Sequence, residues 1–595
     1  MDEEATPFKK IMLIAIIIGI ISGFGSLLFF EGLEIAIHFF AEIVLGYNLP
    51  LEGMNAQEIA SWSPPVHIWL ILPVITLGGL LSGVLVYSLA PEAAGHGTDA
   101  AIKAFHGDGK VRWRIPLLKA VTSIITISTG GSAGREGPTA QIAAGFGSIA
   151  ADLLHMSPRD RRMAIATGIG AGIGTIFMAP LGGAILAAEI LYTRDFESDA
   201  IIPAFLASII GYSIFGSFKG FEPVFSTEEI VWSVGQIPFF LLLGGVCAAI
   251  GMLYIWSFYR TSSFFTDQFA RHNIPPHFKP MTGAFLVGLT VILLAYVSPQ
   301  GLLLGLGSMG TGYGFVQLGI YAMMPLSVLI FLPLAKILTT SLTIGSGGSG
   351  GVFAPGLVVG GALGGAVGTI LHLLLPDMVP MASVPAFVVV GMIALFGAVS
   401  NAPIAVMIMV VEMTGNFSLL VPAMGAVAIS SVLTGERTIY AEQVSTKAHS
   451  GAHRGEYIVE ILQEINVGEV MVQKEKIICV SPDAPCTDVL SLIDRTEHTG
   501  FPVIENGLLV GIVSINDIRH AKKSNGKPAV RDCMTKRLIT ITPDQNLEEA
   551  LGLMIDNDIH HLPVVAQTSR ITMLGYLTTT DIMKAYSRHL QKKGA

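Results

Sequence analysis

Residues Gly130–Leu154 read GGSAGREGPTAQIAAGFGSIAADLL, and residues Gly347–Leu375 read GGSGGVFAPGLVVGGALGGAVGTILHLLL. These are two versions of one text, each a glycine-rich break followed by small apolar residues. A lysine precedes each at the same distance, Lys119 standing 19 residues before Pro138 and Lys336 standing 19 before Pro355. An Ala-Pro pair then opens each of two further matching runs, APLGGAILAAE from Ala179 and APIAVMIMVVE from Ala402, and proline lies 9 residues before a glutamate in both. Duplicated apolar segments interrupted by glycine at corresponding places point to a transporter or channel whose site lies where two halves meet.

Composition agrees. Of 595 residues, 51% are hydrophobic and only 13% charged, where a soluble globular chain carries about 25% charged residues. Mean hydropathy is +0.64, and 67 glycines suit helices that pack closely in lipid. The formal net charge of −9 gives no ground for nucleic-acid binding. Four cysteines, Cys247, Cys479, Cys486 and Cys533, form no CxxC pair, which speaks for free thiols rather than a metal or disulfide framework. Residues 11–30 are long enough to span a membrane and carry no obvious cleavage site, so no cleavable signal peptide is expected.

From residue 8 to about 435 the chain offers roughly a dozen apolar stretches of spanning or half-spanning length, the clearest being 68–90, 164–191, 201–218, 237–257, 281–298, 317–345, 385–411 and 419–434. Lys9, Lys10, Arg159, Arg161, Arg162 and the basic residues of the tail place the N-terminus, the 155–162 loop and the C-terminal region in the cytoplasm by the positive-inside rule. Residues 441–465 are polar and read as a linker.

Two further repeats follow, about 466–525 and 529–590, each alternating short β-rich runs such as FPVI and LLVGIVS with helical stretches. The pairing resembles a tandem of CBS domains. The resemblance implies one α/β module with a cleft for an adenine nucleotide (ATP, ADP or AMP), held at the ribose by Ser514 and Asp517 or by Thr578 and Asp581. The same residues also suit helix capping.

Residues 1–440 resemble the CLC family of chloride channels and proton-coupled chloride exchangers. The likeness is carried by Gly134-Arg135-Glu136-Gly137-Pro138, by Gly351-Val352-Phe353-Ala354-Pro355, by the two Ala-Pro…Glu elements and by Tyr440. It implies an α-helical polytopic membrane protein of two inverted repeats, about 10–220 and 235–435, assembled as a homodimer in the cell membrane with one pore per subunit. Physics suits an anion path: helix N-termini supply unpaired N–H groups and a positive dipole end without a bare lysine that would trap the ion. By resemblance the backbone around Gly134, Arg135 and Gly137 and at Val352 and Phe353 lines the anion sites, and the Tyr440 hydroxyl donates to the anion. Glu136 is the gate, occupying an anion site when ionised and leaving it when protonated. An ion pair with Arg135 is the structural alternative. Lys119 and Lys336 either raise the background potential or pair locally.

The sequence departs from the family pattern at two places. Where the family usually reads GSGIP, this chain reads Gly95-His96-Gly97-Thr98-Asp99, so His96 replaces an anion-binding serine. Where proton-exchanging members carry a second glutamate, Ile190 follows Glu189. Isoleucine cannot hold a proton, so the expected function is passive, glutamate-gated chloride conduction, with a proton-coupled chloride or fluoride antiporter as the alternative. A CBS-regulated divalent-cation transporter would need clustered intramembrane carboxylates, whereas Glu136, Glu189 and Glu412 are scattered in sequence. A bare adenylate sensor would leave the complete membrane motifs without purpose. No enzyme signature, metal site or required cofactor is expected. Gly310-Thr311-Gly312-Tyr313-Gly314 imitates a potassium filter but is expected to be a loop and helix start.

Overall fold

The computed structural model of the chain describes residues 5–227, 230–297, 300–453, 462–496, 498–521 and 528–593. They form two units, Met1–Ala452 and His453–Ala595. The first unit is helical, and among its described residues nine helices are long and apolar enough to cross a membrane. This is the expected polytopic α-helical architecture.

Three stretches that read as continuous in sequence are broken. Residues 164–191 divide into Pro158–Ile176 and Pro180–Glu189. Residues 385–411 divide into Val384–Val399 and Pro403–Thr414. Residues 317–345 divide into the end of Tyr313–Ile320 and Leu326–Gly345. Hydropathy does not see these breaks because both sides are apolar. The local chemistry does: Pro180 and Pro403 lack the N–H that a helix interior needs and open new helices instead. Two residues before each, Met178 and Asn401 take φ of 54° and 51° and turn the chain.

The two glycine-rich breaks meet. Gly134 N–H donates to the Gly351 carbonyl and Gly351 N–H donates to the Gly134 carbonyl, both at 2.8 Å. The two glycines are 217 positions apart, the same offset as Lys119 and Lys336 or Pro138 and Pro355. Equivalent residues that bond each other reciprocally are the mark of a two-fold relation. The glutamates repeat it. The Glu189 carboxylate accepts from Ile404 and Ala405 N–H at 3.2 and 2.7 Å, and the Glu412 carboxylate accepts from Leu181 and Gly182 N–H at 3.2 and 2.7 Å. Each therefore caps the N-terminus of the short helix that ends in the other. A carboxylate at a helix N-terminus meets orphan donors and the favourable end of the dipole. The two glutamates of the Ala-Pro…Glu elements, Glu189 buried and Glu412 half-buried, are thus structural partners of backbone.

After the last span the chain folds back onto this unit. Thr193 and Arg194 N–H donate to the Val444 and Ser445 carbonyls at 3.0 Å, and Lys447 N–H donates to Asp195 at 2.8 Å. The first part of the expected linker is thus ordered against the membrane unit, and its residues 454–461 lie outside the described ones.

The second unit holds small antiparallel sheets, as the β-rich runs implied. Gly500–Glu505 pairs with Leu508–Ser514. His561–Ala566 pairs with Ser569–Thr578, whose other edge takes Val472–Gln473.

The reciprocal caps generate a prediction. Glu189→Ala removes a charged acceptor from two N–H groups, a loss of about 2 kcal/mol. The purified protein in detergent is expected to unfold a few degrees lower, with Glu189→Gln in between. A thermal midpoint unchanged in Glu189→Ala contradicts the capping role.

Candidate functional site

Glu136 is the first residue of the helix Glu136–Leu153 and is 1% exposed. Its carboxylate reaches across to the other repeat with both oxygens. Oε1 accepts from the Tyr313 hydroxyl at 2.6 Å, and Oε2 accepts from Ala354 N–H at 3.4 Å. Ala354 is the second residue of the helix Phe353–Leu374, so a carboxyl group already sits on that helix's N-terminus. Gly134 makes room for it: a Cβ there would stand 1.9 Å from Glu136 Oε2 and 2.9 Å from Ala354 Cβ. The glycine of the motif is required by the carboxylate two residues later as much as by the turn.

Arg135 does not pair with Glu136. Its guanidinium bonds Glu52 at 2.9 Å and lies over the Phe30 and Tyr313 rings, 4.9 and 5.7 Å from their centroids. The sequence alternative of an Arg135–Glu136 ion pair is therefore not what the structure contains. Arg135, Glu52 and Tyr313 line a cavity of about 380 Å³ that also touches Phe30 and Thr311. Tyr313 is wholly buried between the Phe177 and Phe225 rings. It thus separates this cavity from Glu136.

A second cavity, of about 360 Å³, is lined by His96, Asp99, Lys103, Phe258, Tyr259 and Glu442 among others. His96 is 8% exposed and its ring stands 5.5 Å from those of Tyr440 and Phe258. Tyr440 is 1% exposed, and the Thr98 side chain stands beside its hydroxyl. Val352 and Phe353 begin the opposing helix. The Val352 carbonyl accepts from the Tyr254 hydroxyl at 3.1 Å, and Phe353 packs on Phe177 and Phe396. Gly137 lies against Gly97, the first residue of the helix Gly97–His106. So Gly134, Gly137, Val352, Phe353, His96 and Tyr440, far apart in sequence, converge around one point next to Glu136. Ile190 does not join them. It is 1% exposed in the apolar core at the end of the Pro180 helix, and its carbonyl accepts from Gln443 at 2.9 Å.

The two lysines are bound to backbone. Lys119 donates to the Ala93 and Gly95 carbonyls at 3.1 and 2.7 Å, and Lys336 to those of Met309 and Gly310 at 2.9 and 2.8 Å. Each pins the glycine loop before a short helix, Gly97–His106 in one repeat and Tyr313–Ile320 in the other. The filter-like Gly310–Gly314 is therefore a loop and helix start, as expected, and the counterpart of Ala93–Gly97. At the common offset of 217, His96 corresponds to Tyr313. That offset was available in the sequence and would have drawn attention to Tyr313. Nothing in the sequence pointed to Glu52.

In the second unit both Ser/Thr-x-x-Asp elements close on themselves. Asp517 accepts from Ser514 N–H and hydroxyl at 2.8 and 2.7 Å, and Asp581 accepts from Thr578 N–H and hydroxyl at 3.0 and 2.6 Å. Thr578 and Asp581 line a cavity of about 500 Å³ together with Lys476, Lys584, His498 and His561; Ser514 and Asp517 do not. Burial and the neighbouring His560 and His498 hold the His561 imidazole below the ordinary histidine range, so it is neutral at pH 7.

Comparison with known proteins identifies the family and the fold. The family profile described as voltage gated chloride channel matches residues 78–435, and the CBS domain profile matches 467–524 and 530–588. The chain is 30% identical over 451 residues to the H(+)/Cl(-) exchange transporter ClcA of Vibrio parahaemolyticus, covering 73% of this chain and 89% of that one. Among solved structures, a slow cyanobacterial Cl−/H+ antiporter superposes with a TM-score of 0.59 at 24% identity, over 72% of this chain and 96% of the other. A eukaryotic CLC transporter superposes with a TM-score of 0.55 at 18% identity over 96% and 98% of the two chains. These last two likenesses are of fold.

The hydroxyl of Tyr313 holds Glu136 in place, and a hydrogen bond to a charged group contributes about 1.5–3 kcal/mol. Tyr313→Phe deletes that one atom. Chloride efflux from liposomes at neutral pH is expected to rise about tenfold because the carboxylate is released from its seat. Unchanged efflux means that the bond does not restrain Glu136.

Proposed function

The chain belongs to the voltage-gated chloride channel family, and on that footing we propose that it exchanges chloride for protons. The observation that carries this reading is the seat of Glu136. A fully buried carboxylate rests on the N-terminus of a helix, bonded by Tyr313 and Ala354. Its own guanidinium neighbour is committed to Glu52. The seat is therefore an anion-binding position filled by the protein's own carboxylate. A chloride ion entering it must displace Glu136, and the displaced group is neutral most cheaply, since an uncompensated charge at membrane depth is costly. Anion entry and proton uptake are coupled by competition for one place.

Chloride is then held by backbone N–H groups of Arg135 and Gly137 and at Val352 and Phe353, where first-turn donors lack intrahelical acceptors; the Gly134 N–H, expected to join them, is instead committed to the Gly351 carbonyl and holds the loop. The Tyr440 hydroxyl and an imidazole N–H of His96 complete the path toward the second cavity. The positive-inside reading makes that second cavity the cytoplasmic one. It puts the Arg135 cavity outside and the CBS pair in the cytoplasm. The protein acts as a homodimer, each subunit carrying its own path.

Ile190 favours the second reading, passive conduction, because the position carries no proton. The relatives named H(+)/Cl(-) exchangers at 30% identity support exchange over it. In the second unit, an adenine nucleotide is the ligand that suits the Asp581 cavity. Asp581 would accept from the ribose hydroxyls, and Lys476 and Lys584 would face the phosphates.

Two measurements check these proposals. In liposomes under crossed gradients, the reversal potential of the wild type is expected to depend on both chloride and pH. In Glu136→Gln, whose neutral side chain cannot compete for the seat, it is expected to follow chloride alone and efflux to lose its pH response. A wild-type potential that ignores pH defeats exchange, and a variant that keeps its pH response defeats the gate. For the second unit, millimolar ATP, ADP or AMP is expected to raise the unfolding temperature of the full-length protein by mass action, with the shift lost in Asp581→Asn. The absence of any shift in the wild type removes the nucleotide proposal.

A further inference from the structure

Exchange requires a proton to reach Glu136 from the side of the His96 cavity, and Ile190, sealed in the core, offers no step. The cavity itself does. His96 Nε2 lies 3.9 Å from Asp99 Oδ2, and Asp99 is 19% exposed where His96 is 8%. Both line the cavity, Asp99 the more exposed and His96 the more buried of the two. The other ring nitrogen, Nδ1, is buried and has no hydrogen-bond partner among the described residues, an arrangement that a buried polar atom adopts only at a cost unless it is used. Beyond His96 stand the Tyr440 ring at 5.5 Å and, across Gly97, the residue that follows Glu136. The repeat supplies a second line of argument. His96 occupies the position that Tyr313 occupies in the other half, and Tyr313 bonds Glu136 from the opposite side.

We propose that His96 and Asp99 are the proton-transfer station on the His96 side of Glu136, Asp99 collecting the proton from cavity water and positioning His96, and His96 relaying it inward. This rests on the exchange reading above. The step makes and breaks only N–H and O–H bonds. The proton leaves the Asp99 carboxyl or its water for one ring nitrogen, and the proton on the other nitrogen leaves toward Tyr440 and Glu136. The ring ends neutral and the carboxylate ends ionised.

The surrounding charges suit a relay rather than a resting imidazolium. Lys119, from the helix Arg114–Ser128, places its ammonium on the Gly95 carbonyl, the residue before His96, and opposes a second standing positive charge. Lys103, on the same helix as Asp99, is paired with Glu442 at 2.7 Å. Glu442 in turn gives its N–H to Asp99 Oδ1 at 2.9 Å. Tyr259, from the helix Ile237–Arg271, donates to the Ile439 carbonyl at 2.7 Å. Tyr87 and Lys279, from the helices Ile71–Leu89 and Lys279–Val297, line the cavity wall. Asp99 is therefore fixed through one oxygen and keeps the other for the imidazole.

The test uses the full-length protein in liposomes with a chloride gradient and no pH gradient, recording proton and chloride movement in the same vesicles. Chloride flow through the wild type is expected to drive protons uphill. The proton-to-chloride ratio is expected to fall at least tenfold in Asp99→Asn and in His96→Asn, and Asp99→Glu is expected to restore most of it. A ratio unchanged in both Asn variants overturns the station while leaving exchange standing. Wild-type chloride flow without proton movement overturns exchange and the station with it. Elution of each variant as the wild-type species in detergent, with an unchanged unfolding midpoint, reports that it is folded, and the ratio is read only from folded variants, the two Asn substitutions lying on different side chains.

Discussion

Two hydrogen bonds, from Gly134 to Gly351 and back, hold this structure's functional geometry. A chain interrupted at membrane depth leaves N–H and C=O groups that lipid cannot satisfy. Here each break satisfies the other. That solution needs both repeats at once, in a two-fold relation, and it draws two helix N-termini to one place. A first-turn amide of the second repeat then lies within reach of Glu136 from the first. Glycine is indispensable at Gly134, because the space of its missing Cβ belongs to the Glu136 carboxylate.

The charged side chains beside the breaks serve the same constraint. Lys119 and Lys336 bind the carbonyls of the loops that precede the two short helices, and Glu189 and Glu412 bind the N–H groups that open the other two. Arg135 is neutralised by Glu52. Each side chain that could be mistaken for a fixed charge in the path is matched to backbone or to a counter-ion. The field along the path therefore comes from oriented peptide groups, which attract a small anion without trapping it. Glu136 differs: it too meets an amide, but on a site that a passing anion could take.

The two faces of Glu136 are built from equivalent pieces with different chemistry. Tyr313 and His96 share one position in the repeat, each beside a lysine-pinned glycine loop. One supplies a phenol that donates to Glu136. The other supplies an imidazole backed by a carboxylate at the edge of a cavity. The repeat builds the same scaffold on both sides, and different residues at one position give the sides different chemistry. The replacement of a proton-holding residue by Ile190 is compatible with exchange on this arrangement, since a titratable pair stands at the cavity mouth.

The sequence by itself determined the class of the molecule: an apolar, duplicated chain with glycine breaks, a glutamate in the first break, and two β-rich repeats after a polar stretch. Those properties are periodic or compositional, and lipid leaves few folds open to them. The matching Ala-Pro pairs marked the repeat, but the apolar stretches 164–191 and 385–411 around them read as unbroken, and the helix starts at Pro180 and Pro403 came from the structure. What only the tertiary structure decided were the partners. That Glu189 and Glu412 cap each other's helices, that Arg135 turns to Glu52, and that Tyr313 rather than a cation holds Glu136 depend on contacts between residues as many as 231 positions apart. Hydrogen bonds are directional over about 3 Å, and no local pattern encodes which of several buried groups will meet at that distance. The common offset of 217 made Tyr313 legible as the partner of His96, but its bond to Glu136 follows from the crossing of the two halves.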